Sequence, residues 1–169
     1  MVKSTFCRCR LMSKNIGFYI SFLLYQDLLD LIVCHSYKVS CPPGWHEAPS
    51  SWSCVFLEHS QLTTWGEARK RCSNDFDADL VKILDREKNK RLFGLFHSHI
   101  SSAYIGLNGE SGLGVKWLDE ASPASYLNWD ADAPKSKDDQ ICATIDFKRE
   151  GKWTEETCNG TAAYICEMK

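Results

Sequence analysis

The chain has little of what several large protein classes require. It has no basic excess: 20 Lys and Arg stand against 22 Asp and Glu, a net charge of −2. That argues against a general binder of nucleic acid or of anionic membrane. It has no long apolar run. Ile16 to Tyr25, broken by Ser21, is too short to span a bilayer. Residues 41–169 hold no Pro/Ser/Gly linker, no low-complexity tract and no internal repeat, so one domain is expected. Neither a Gly-x-Ser-x-Gly elbow nor a phosphate loop occurs, which speaks against catalysis, and no enzyme activity is expected. At 44% apolar and 25% charged residues the composition supports a packed core rather than disorder.

The first 36 residues read as a signal peptide. Lys3, Arg8, Arg10 and Lys14 form a positive segment, Ile16–Tyr25 is the apolar segment, and Cys34-His35-Ser36 suits cleavage, with a mature start near Tyr37. The alternative is a membrane anchor over residues 16–34. It would place Asp27 near mid-membrane, at a cost of roughly 2.5–3.5 kcal/mol. Met12 is an alternative start. Cleavage removes four bases and two acids and leaves 16 Lys and Arg against 20 Asp and Glu, a net of −4. It also removes Cys7, Cys9 and Cys34 from the nine cysteines. An even set remains, as an oxidising compartment and a stapled, secreted fold require.

Those six are Cys41, Cys54, Cys72, Cys142, Cys158 and Cys166. Between them the pattern predicts strands at Ser53–Leu57, Ala103–Leu107, Val115–Leu118, Ile141–Phe147, Gly151–Thr154 and Ala163–Glu167. Thr64 and Glu67 fit a capping box that opens a helix over Trp65–Cys72. Asp85 caps a second helix, with Asn89, Leu92, Phe93 and Phe96 on one face. Glu120 to Gln140, poor in apolar residues and holding Pro123 and Pro134, reads as a long irregular loop, a usual place for function. Two helices followed by strands indicate an α+β fold.

The ordered pieces are Cys41-Pro-Pro-Gly-Trp45, Trp65-Gly-Glu-Ala-Arg-Lys-Arg-Cys72, Ala78-Asp-Leu-Val-Lys-Ile83, Tyr104-Ile-Gly-Leu107, Trp117-Leu-Asp119, Asn128-Trp129, Gly151-Lys-Trp153 and Tyr164-Ile-Cys-Glu167. Together they resemble a C-type lectin-like domain, over residues 37–169. The resemblance implies two helices, short antiparallel sheets, a long loop and the bridges Cys41–Cys54, Cys72–Cys166 and Cys142–Cys158. It makes Trp65, Trp117, Trp129 and Trp153 core or loop-anchoring residues.

Sugar-binding members of that family bridge protein and sugar with calcium, a hard ion that takes six to eight oxygens. They use Glu-Pro-Asn or Gln-Pro-Asp in the loop, an acid two residues before the next cysteine, and an Asn-Asp pair after the strand tryptophan. Here Pro134 matches, flanked by Ala133 and Lys135. Gln140 stands for the acid, and Thr154 and Glu155 for the pair. A second calcium site after the Ile-Gly-Leu strand retains only Glu110. No metal cofactor is therefore expected, and the domain is expected to bind an extracellular protein or an anionic glycan through Lys135, Lys137, Asp138, Asp139, Thr154 and Glu155. The alternative is a carbohydrate-binding lectin whose calcium site is rearranged around Asp132, Asp138 and Asp139. A third reading is a subunit of an assembly.

Other constellations are weak. Asp75, Asp77 and Asp79 begin like a calcium loop, but Leu80 and Arg86 occupy its glycine and glutamate positions. His97 and His99 do not face each other on a helix. Lys82, Arg86, Lys88, Lys90 and Arg91 read as a solvated basic helix face. Asn159-Gly-Thr161 is a glycosylation sequon beside Cys158.

Overall fold

The computed structural model describes residues 40–48, 53–110, 114–119, 123–131, 133–134 and 140–168. The expected signal peptide and its cleavage point lie outside them. Strands β1 (His46–Ala48) and β2 (Ser53–Thr63) come first, then helix α1 (Trp65–Phe76), strand β3 (Asp79–Leu80) and helix α2 (Arg86–Phe96). Strands β4 (Ser102–Glu110), β5 (Gly114–Trp117), β6 (Gln140–Asp146), β7 (Lys152–Glu156) and β8 (Ala162–Met168) complete it. The strands join in one sheet in the order β1-β2-β8-β4-β6-β7, with β3 added to β8 and β5 to β4. Every pairing is antiparallel except β4 with β8. The fold is α+β, as expected, and the parallel pair makes the sheet mixed.

The helices start where their caps stand. Thr64 Oγ1 accepts from Glu67 N at 3.4 Å, and Asp85 Oδ1 accepts from Lys88 N at 2.8 Å. The reciprocal half of the capping box is not used, since the Glu67 carboxylate lies 3.7 Å from Arg71 Nε instead. Helix α1 runs four residues past Cys72 to Phe76, because Asp77 adopts the left-handed conformation and its N–H caps the Cys72 and Ser73 carbonyls. Strand β2 is likewise longer than its apolar stretch. Most of Glu58–Thr63 is exposed and polar, so no burial pattern marks it.

Two apolar clusters fill the space between helices and sheet. One gathers Val55, Ile83, Leu92, Ile105, Leu107, Ile145, Trp153 and Ile165, each at most 1% exposed. Burying each such aliphatic side chain stabilises by about 1.5–3 kcal/mol. The other surrounds Cys72, Leu80, Tyr104, Tyr164 and Cys166. Gly106 separates the strands at a close approach. A Cβ there would sit 2.7 Å from the Leu80 carbonyl oxygen, so no larger residue fits.

The disulfides join Cys41 to Cys54, Cys72 to Cys166 and Cys142 to Cys158, with Cα separations of 5.6, 5.5 and 5.2 Å. These are the pairings that the family resemblance implies. The second ties α1 to β8, and the third ties β6 to the turn that follows β7.

Tyr104 stands where the family usually has tryptophan, and its hydroxyl gives the replacement a use. It donates to the carbonyls of Thr157 (2.7 Å) and Gly160 (3.1 Å), fixing the turn that carries Cys158. Burial, with the Glu156 carboxylate adding to it, pushes this hydroxyl up to about 12 from an ordinary 10.0. Between those values the unfolded tyrosine ionises while the folded one keeps its proton. Unfolding then releases a proton, and stability falls as pH rises through that window. Urea midpoints taken across pH 9–12 are expected to show this fall. Tyr104→Phe is expected to lose that part of it, and an identical slope in the variant would disprove the assignment.

Candidate ligand-binding face

The long loop leaves β5 and returns as β6, and its stem is built against β7. Trp153 N donates to the Asn128 carbonyl at 2.9 Å, and Asp130 N donates to the Trp153 carbonyl at 2.8 Å. Trp129 and Trp153 thereby form a parallel bridge. Three rings meet Trp153 edge-on: Trp117 at 5.5 Å, Tyr126 at 5.6 Å and Trp129 at 6.0 Å between centroids. Trp117 and Trp153 are buried and Trp129 partly so. Trp65 donates its indole N–H to the Ile105 carbonyl at 2.9 Å. All four tryptophans are thus committed to packing.

Polar side chains complete the anchor. Trp153 Nε1 donates to Asn89 Oδ1 at 2.7 Å, and the Asn89 and Asn128 amides both donate to the Gly151 carbonyl at 2.9 Å. Lys152 Nζ donates to Asn128 Oδ1 at 3.2 Å. The Arg149 guanidinium pairs with the Asp130 carboxylate and holds it below the usual carboxylate range. The Ala133–Pro134 peptide is cis, and Ala133 N donates to the Asp130 carbonyl at 3.0 Å. Sequence reasoning missed Asn89 as an anchor. Its signal was a polar residue set in an apolar helix stripe, since a buried amide must find partners.

Of the expected contact residues, Thr154 and Glu155 lie together on β7, half-buried, opposite Thr144 and Ala143. The Thr154 and Thr144 hydroxyls lie 2.9 Å apart across the two strands. Gln140, exposed, opens β6. Lys135, Lys137, Asp138 and Asp139 lie outside the described residues, as do Asp132 and the Glu110 side chain. Among the described residues no three His, Cys, Asp or Glu side chains gather as metal ligands do.

The basic helix face needs correction. Lys88 is 3% exposed, and its Nζ lies 2.5 Å from Glu167 Oε1 on β8. Lys90 pairs with Glu87, and Arg91 Nε donates to the Glu47 carbonyl. Lys88 occupies the buried stripe with Leu92 and Phe96, four and eight residues on, so it is a core residue rather than part of a surface patch. His97 and His99 are exposed in the turns after α2.

The profile described as the lectin C-type domain matches residues 61–168. The chain belongs to the C-type lectin domain family. This C-type lectin domain is 29% identical to human C-type mannose receptor 2 over 130 residues, which is 76% of this chain and 9% of the receptor. It therefore spans less than a tenth of that relative's length. Among solved structures, the human scavenger receptor C-type lectin carbohydrate-recognition domain is 27% identical with a TM-score of 0.66, covering 77% of this chain and 99% of that one. Human lithostathine shares the fold at 24% identity and a TM-score of 0.67, over 78% of this chain and 92% of that one. The family is one of ligand-binding domains, and among the described residues no helix is long and apolar enough to cross a membrane.

Proposed function

We propose that this C-type lectin domain is a secreted binding module, not an enzyme, that takes an extracellular protein or an anionic glycan on its long-loop face without the family's usual calcium bridge. The observation that carries the reading is Thr154. It stands at a position where the resemblance calls for an oxygen ligand to calcium, and its hydroxyl is hydrogen-bonded to that of Thr144, itself 3% exposed. Its neighbours in the implied ligand set point the same way. Ala133 has no side-chain oxygen, Lys135 brings a positive charge, and Gln140 offers one neutral carbonyl. Glu155 alone keeps a carboxylate, far short of the charged oxygens a calcium ion takes. The residues present do not fit a bridging calcium ion.

Among the charges of the loop are Lys135, Lys137, Asp138 and Asp139, and β7 adds Glu155. Charges of both signs on a loop whose stem is fixed suit a charged macromolecular surface better than a neutral sugar. A glycan and protein array probed in calcium and in chelator is expected to give the same bound set in both. The melting temperature is expected not to rise with millimolar calcium. Calcium-dependent binding that a free monosaccharide displaces would overturn the reading and favour a rearranged lectin site.

A further inference from the structure

We propose that Asn159 carries an N-linked glycan that lies across a cleft of the domain. A cleft of about 640 Å³ opens between the start of α1, the β4–β5 hairpin and the first residues of β6. Thr64, Asn108, Lys116, Gln140 and Asn159 are among its walls. The chain's single glycosylation sequon, Asn159-Gly160-Thr161, therefore starts on the rim of this cleft.

The local structure suits the modification. Asn159 and Thr161 are both exposed, on either side of Gly160. The turn is closed by Gly160 N, which donates to the Thr157 carbonyl and hydroxyl, each at 3.0 Å. The Tyr104 hydroxyl holds the same turn from the core side. The Asn159 amide takes no hydrogen-bond partner among the described residues. In the transfer, Nδ2 forms a bond to the anomeric carbon of a lipid-pyrophosphate-linked oligosaccharide. The bond from that carbon to the pyrophosphate oxygen breaks, the lipid pyrophosphate leaves, and the amide proton passes to a base. The hydroxyl-rich first sugars then face the polar groups of Asn108, Lys116 and Gln140. A glycan so placed shields the cleft, together with Pro123 and Gln140 at the two ends of the long loop.

The proposal rests on the secreted reading, since the transfer takes place in the secretory pathway. The test is expression of the full chain in mammalian cells beside Asn159→Gln and Thr161→Ala, the latter leaving the asparagine in place. Secreted wild type is expected to shift on a gel after peptide-N-glycosidase treatment, and both variants to show no shift. Lys116, exposed on β5, is then expected to acetylate several-fold faster once the folded, oxidised protein is deglycosylated, read by peptide mass spectrometry. Secretion without a shift overturns the glycan and leaves the secreted reading standing. Retention in the cytosol with reduced cysteines overturns both. A shift with unchanged Lys116 acetylation overturns the covering of the cleft.

Discussion

Replacing Cys72 and Cys166 together by alanine is expected to cost about 4–5 kcal/mol, the largest loss from any one bridge. The reason lies in the unfolded chain. This bridge spans 94 residues, against 13 for Cys41–Cys54 and 16 for Cys142–Cys158. In the chain-entropy account, a cross-link over a loop of roughly 100 residues stabilises by about 4.7 kcal/mol, and one over roughly 15 by about 3. Packing adds to the difference. Both sulfurs belong to side chains fully buried beside Leu80, Tyr104 and Tyr164, where lost atoms leave a void. Urea midpoints of the oxidised double variants measure this. Equal losses for the 94-residue and 13-residue bridges would show that loop length is not what sets their worth.

Glu167→Ala is expected to destabilise by about 3–5 kcal/mol, because it strands a buried ammonium group. Glu167 Oε1 receives Lys88 Nζ and the Ser53 hydroxyl, and Oε2 receives Lys82 N at 3.1 Å. One carboxylate therefore joins α2, β2, β8 and the segment after β3. Burial pulls the Lys88 ammonium below the ordinary lysine value, against the pull of Glu167, which is the mark of a charge that needs its partner. Replacing both members, as Lys88→Met with Glu167→Met, removes the stranded charge and is expected to recover most of the loss. Denaturant unfolding of the two single variants and the double supplies the cycle. A single-variant cost below about 1 kcal/mol, the range of exposed pairs, would mean that water reaches this pair.

Much of the fold was legible because its signals are local. A threonine or aspartate before a helix satisfies N–H groups within one turn, so Thr64 and Asp85 mark their helices without help from the rest of the chain. Endings were less legible. Strand β2 continues past its apolar stretch because β8 lies beside it, pairing at Glu58 with Tyr164 and again at Thr63 with Ala162, partners far away in sequence. The face of α2 was half legible. Its Asn89, Leu92, Phe93 and Phe96 stripe is evident, while the charge of Lys88 points to solvent, although it stands four residues before Leu92.

The sequence by itself determined the α+β class and the family: six cysteines, four spaced tryptophans and Gly106 are chemical requirements written residue by residue. Only the tertiary structure decided how the candidate site is held. Lys88 turns inward because Glu167 waits on β8. The long-loop stem is fixed because Asn89, on a helix, reaches both Trp153 and Gly151. Thr154 meets Thr144 because the β6–β7 register sets them opposite. Each of these depends on a partner brought near by folding, and a hydrogen bond or ion pair is felt only at contact distance, whatever the separation along the chain.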